Sequence, residues 1–169
     1  MEKHAKLEVW MRGPIASIPS VLQPVAHTLL QIQEDIQSVL ERVSEQQLWE
    51  RPTEVASIAF HVQHIIGVVD RMFTYARGSA LSDAQFAYLK AEGNQTDGIN
   101  KDYLLRELRN GMEKALAELR STDIQLLGET RHLGRQKIPT TLIGLLFHAA
   151  EHSQRHFGQL LVMEKWLNT

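Results

Sequence analysis

The segment Pro139 to Trp166, PTTLIGLLFHAAEHSQRHFGQLLVMEKW, has the periodicity of one long amphipathic helix. Leu142, Leu145, Leu146, Ala149, Leu160 and Met163 recur at three- and four-residue spacing, so they gather on a face that must be covered by other helices. Pro139 with Thr140 or Thr141 marks the start, because a helix's first turn has no use for its amide and accepts a hydroxyl as cap. Within the same helix His148, His152 and His156 lie four residues apart. Each is turned only about 40° from the one before, so the three imidazoles form a stripe.

The rest of the chain supplies helical partners for that segment. Leu22, Val25, Leu29, Ile32, Ile36, Val39 and Leu40 predict a first helix from near Ser20 to Val43, with Pro24 tolerated in its first turn. Ser44-Glu45-Gln46-Gln47 resembles a capping box that starts a short turn through Leu48 and Trp49, ended by Pro52. A second helix begins between Thr53 and Ser57 and continues to Ala76, with Gly78 as its stop signal. A long crossover, 79–98, holds a short helix at Asp83 to Lys90. Asn100 then caps a third long helix from Lys101 to Leu119, and an irregular stretch from Ser121 to Lys137 leads into the last one. Extended alternating runs of Val, Ile and Thr are missing, so no strands are expected. The expected fold is all-α: residues 1–169 form a single-domain four-helix bundle with a long connection between helices two and three.

Composition removes several function classes. The chain carries 18 Lys and Arg against 20 Asp and Glu, a net charge of −2 without a dense basic cluster, which leaves no electrostatic basis for a nucleic-acid partner. There is no cysteine, which excludes disulfides, a thiol nucleophile and thiolate metal sites. No apolar run approaches the roughly 18 residues of a membrane span; the strongest, Leu142 to Phe147, stops at His148. The first segment, with Glu2 and Glu8, lacks the pattern of a secretory signal, so a cytoplasmic address is expected.

The histidines carry the chemistry. An isolated histidine on an apolar helix face is ordinarily a hydrogen-bonded core residue. Several together are different, because each buried ring needs a partner for a polar nitrogen and one shared cation satisfies them all. His61 and His64 on the second helix join the stripe on the last, and two helices packed about 8–10 Å apart can aim rings at a common point. Spacing alone leaves open whether His148 with His152, or His152 with His156, supplies the pair. His148-Ala149-Ala150-Glu151-His152 also spells the inverted zinc-protease motif, but the acidic ligand those enzymes take from far downstream has only Glu164 to match it. A carboxylate-bridged di-iron site requires Glu-x-x-His on two helices, which is absent from both histidine-bearing helices, so the site is expected to be mononuclear.

Trp49-x-x-Pro52, Ser57-Ile58, His64-Ile65 and the closing Glu151-His152-Ser153-Gln154-Arg155-His156-Phe157-Gly158-Gln159 resemble the DinB-like superfamily of metal-binding four-helix bundles. The resemblance runs from the first helix to Trp166, and the terminal H-x-x-x-H-x-G-Q is its most specific part. The family's pattern places a histidine seven residues after the serine that starts helix two, here His64, and its helix-four pair falls on His152 and His156. The resemblance therefore implies His64, His152 and His156 as ligands, with His61 and His148 as flanking partners or alternative ligands. Phe157 stands where many relatives have a basic residue.

The resemblance further implies a cytoplasmic homodimer carrying a divalent metal, zinc or nickel. Some relatives use the metal to activate a low-molecular-weight thiol such as bacillithiol or mycothiol. The implied function is a metal-dependent S-transferase or hydrolase acting on a small molecule; the alternative is a non-catalytic, metal-stabilised binding or stress-response dimer. No residue stands out as a general base: Glu151 and Asp70 read as helix-surface charges. Trp10, Trp49 and Trp166 read as core or interface packing, and the basic stretch Arg131 to Lys137 as a solvated loop.

Overall fold

The computed structural model describes residues 7–168; the part of the N-terminal reading that rests on Glu2 lies outside them. Its elements in chain order are α1 (Gln23–Arg42), α2 (Ile58–Ala76), α3 (Asp83–Ala91), α4 (Lys101–Ser121), β1 (Thr130–Leu133), β2 (Ile138–Thr141) and α5 (Leu142–Leu167). The four long helices pack as an all-α bundle in which α1 and α2 occupy opposite corners, each lying against both α4 and α5. α3 lies within the long crossover between α2 and α4, packed on α2. Among the described residues no helix is long and apolar enough to cross a membrane.

The predicted apolar stripes meet in one core: Leu29, Ile32 and Ile36 of α1, Ile58 and Ile65 of α2, Leu104, Leu108 and Met112 of α4, and Leu160 of α5 are all buried. α2 is apolar around most of its circumference and is buried almost throughout, including the polar His61, Gln63, Arg71 and Thr74. Those four therefore must find partners inside the protein, because a buried polar group without one costs several kcal/mol, roughly 2–7 depending on the reference state.

The capping residues act as the sequence predicts. Ser57 Oγ accepts from Phe60 N at 3.2 Å, Asn100 Oδ1 from Tyr103 N at 2.8 Å and Thr141 Oγ1 from Gly144 N at 3.1 Å. Ser44 and Gln47 form the reciprocal pair of a capping box, although the turn they start does not become a helix. Ser57 begins the helix that carries His61 and His64. We expect Ser57→Ala to lower unfolding free energy by about 1 kcal/mol, read as a shift in the urea midpoint.

Several expectations need correction. The stretch after α4 is not irregular throughout, and strands are present: β1 and β2 pair antiparallel, with Thr130 opposite Thr141 and His132 opposite Pro139. Pro139 therefore belongs to a strand and not to the first turn of α5. It is tolerated because a two-stranded ribbon has only edge strands, where an amide can be spared. The hairpin also explains why α5 starts at Leu142: the amides of Leu142 and Ile143 donate to the carbonyls of Glu129 and Leu127, both at 3.0 Å. The basic stretch is likewise no free loop, for Arg131 Nε donates to the Ala76 carbonyl at 2.8 Å and ties β1 to the end of α2. Of the three tryptophans, Trp49 is half-buried against the core, while Trp10 is 60% and Trp166 49% exposed.

Candidate metal centre

α2 and α5 form the most extensive helix contact in the molecule, and the histidines of both face each other across it. His64 Nε2 and His152 Nε2 are 3.0 Å apart, and the His156 ring centroid lies 4.3 Å from that of His64 and 4.7 Å from that of His152. His64, His152 and His156 each offer a ring nitrogen within 4.8 Å of the other two. Ligands sharing one cation at about 2.0–2.1 Å stand roughly 3–4 Å apart, so the trio has the chemistry and the spacing to hold a metal ion. The three candidate ligands implied by the sequence thus come together.

The remaining ring nitrogens are engaged as a metal centre requires. His61, only 2% exposed, places Nδ1 at 3.0 Å from His156 Nδ1. If His156 donates that proton, its Nε2 lone pair is free. His64 Nδ1 is 2.6 Å from Glu92 Oε2, so with the proton on Nδ1 the lone pair on Nε2 points to His152. Glu92 is anchored in turn by Arg71, whose Nη1 donates to Oε1 at 2.7 Å. A carboxylate behind a ligating histidine fixes its tautomer and ring orientation. Phe60 completes the surroundings, stacked on His64 with centroids 5.3 Å apart and planes 13° from parallel.

His152 differs. Arg155 Nη2 lies 2.9 Å from its Nδ1, a contact that needs the proton on Nε2. Coordination through Nε2 takes the other tautomer, and Arg155 keeps a partner in either case because Glu151 accepts from its Nε at 2.9 Å and its Nη2 at 3.0 Å.

His148 stays outside the trio. It bonds Glu151 Oε1 at 2.8 Å, and with Glu151 and His152 forms a second group that could hold a cation. Glu151 is half-buried and paired with its helix neighbours His148 and Arg155, whereas Asp70 is exposed and accepts from Gln85. Glu164, the residue an inverted zinc-protease reading would need, is bonded to Arg42 of α1. Sequence reasoning missed Glu92 and Arg71. Neither has a spacing that singles it out.

Burial of the rings, with the neighbouring His64 as a second cause, pushes His61, His152 and His156 down to about 4 from the usual 6.5. They are neutral at pH 7, the form that binds metal. The sign of the linked stability follows: the unfolded chain protonates these rings first, so stability is complete above about pH 6.5 and is lost as pH falls toward 4. We expect the metal-free protein to melt at progressively lower temperature from pH 7 to 4.5. His61 contributes on the order of 2 kcal/mol of the loss once solvent screening is allowed for, so His61→Gln should flatten the profile.

An open, mostly apolar groove of about 480 Å³ between α1 and α5 reaches this side of the molecule at Glu151 and Arg155, with Val25, Phe147 and Ala150 along it. None of these histidines lines that groove, nor a different cavity of about 370 Å³ between α2 and α4.

A family model described as the DinB superfamily matches residues 28–160, which include every residue of this centre. No curated protein matches the chain.

Proposed function

We propose that this chain, which belongs to the DinB superfamily, binds one divalent cation through His64, His152 and His156 and is a metal-dependent S-transferase or hydrolase for a small-molecule substrate. The observation that carries the reading is the convergence of three ring nitrogens, from two helices, within 4.8 Å of one another. A set of neutral imidazoles suits zinc or nickel better than magnesium or calcium. When bound, the cation supplies a Lewis acid that lowers the pKa of a thiol or a water to make a nucleophile at neutral pH.

The chain's own residues do the rest. Three protein ligands leave a position for substrate, as in catalytic sites and unlike closed structural ones. Glu92 and His61 hold the protons on the outer nitrogens of His64 and His156. Phe60 shields one face of the His64 ring. Arg155, whose Nη2 is 2.9 Å from His152 Nδ1, carries a guanidinium that suits an anionic group of a substrate. The reading takes the working form to be a homodimer.

Cobalt substitution tests this function. Adding a low-molecular-weight thiol to the cobalt protein should change the ligand-field spectrum markedly, and the loaded protein should consume a thiol or hydrolyse substrates in a broad screen. A spectrum unmoved by thiols, together with a melting temperature that a chelator lowers, would instead identify a closed, purely stabilising metal.

A further inference from the structure

Glu92 stands out beyond the ligand set. It lies just after α3, far in sequence from both histidine-bearing helices, yet its carboxylate is 3% exposed and divided between two partners, Arg71 and His64. A buried ion pair alone would need only Arg71. The second oxygen instead meets the outer nitrogen of a candidate ligand at 2.6 Å.

The path of the chain is built to deliver it. Gly67 of α2 faces the Glu92 carboxylate so closely that a Cβ there would overlap it and would stand 2.5 Å from Arg71 Nη1. Gly93, at φ +81°, lets the chain turn immediately after Glu92, and its amide donates to the buried Gln63 Oε1 at 2.8 Å. At Gly93 a Cβ would come within 3.0 Å of Phe60, the ring that stacks on His64. Two glycines and a buried glutamine thus clamp the crossover where its carboxylate can reach the histidine.

We propose that Glu92 is the positioning residue of the metal centre. It accepts the His64 Nδ1 proton, fixes the tautomer that turns the Nε2 lone pair toward His152 and His156, and raises the basicity of that nitrogen, so the crossover is part of the site. This inference rests on the ligand set proposed above.

The test compares wild type, Glu92→Gln and Gly67→Ala. Zinc dissociation constants come from competition with a chromophoric chelator, and coordination is read from the cobalt spectrum. Outer-sphere partners of this kind are worth about 10–100-fold in metal affinity. Both variants should weaken binding by that factor and shift the cobalt bands, Gly67→Ala because it displaces the carboxylate while leaving every ligand in place. Variants that are less stable but bind zinc as tightly as wild type, with the same cobalt spectrum, would show Glu92 to be a structural partner only and overturn the inference. A wild type that binds no zinc would defeat the ligand set itself, an outcome visible before any variant is made. Nitrogen-15 spectra of the metal-free wild type give a reading independent of variant folding: His64 should carry its proton on Nδ1, and a proton on Nε2 would contradict the inference.

Discussion

His152→Ala should abolish stoichiometric metal binding and with it the gain in melting temperature that zinc or nickel gives the wild type. Among the described residues two groups of side chains could hold a cation, the trio with His64 and His156 and the group with His148 and Glu151, and His152 belongs to both. Its removal therefore leaves neither of these sets complete. At a metal concentration 100 times the dissociation constant, the lost stabilisation is about 2.7 kcal/mol, or roughly 5–10 °C for a chain of this length. His148→Ala is the matched control, because it removes a histidine from the same stripe and spares the trio. Elemental analysis after gel filtration and thermal melts with and without metal provide the readout; equal metal content in the two variants would contradict the assignment.

The largest effect on stability is expected at Arg71. Its guanidinium and the Glu92 carboxylate are buried together, 7% and 3% exposed, at 2.7 Å. Removing one member of a buried pair strands the other's charge, which costs about 3–5 kcal/mol, whereas neutralising both leaves nothing uncompensated. Arg71→Met in metal-free buffer should therefore lower the unfolding free energy by about 3–5 kcal/mol, and Arg71→Met with Glu92→Gln should recover part of the loss. Urea titrations of the double-mutant cycle measure this. Additive losses would mean that the two residues do not form one unit.

The contrast between these sites shows what was legible in the sequence. The His148, His152 and His156 stripe is a local pattern, four residues repeated along one helix, and helix geometry alone puts it on one face. The cap at Asn100 was legible for the same reason, since a cap acts within three residues of itself, while the starts of α2 and α5 were legible only as the choices Thr53 to Ser57 and Thr140 or Thr141. Glu92 gives no such signal. It is one acidic residue among 20 Asp and Glu, and its role depends on a crossover lying against Gly67, a contact between residues 25 positions apart. Arg71 was hidden similarly, as an ordinary helix residue until α2 proves to be enclosed on nearly all sides.

The hairpin escaped for a different reason. Its strands have four residues each, too short to show alternation, and Pro139 is as natural at a helix start as it is unusual in a sheet. What sets its structure is cross-strand pairing, from Thr130 opposite Thr141 to Leu133 opposite Ile138, which period counting cannot see.

Anomalous diffraction at the zinc edge, from crystals of protein purified without a histidine tag and loaded with zinc, locates the cation. One strong peak should lie about 2.0–2.2 Å from a ring nitrogen of each of His64, His152 and His156. A peak elsewhere, for instance at His148 and Glu151 alone, or no peak between α2 and α5, would contradict the account.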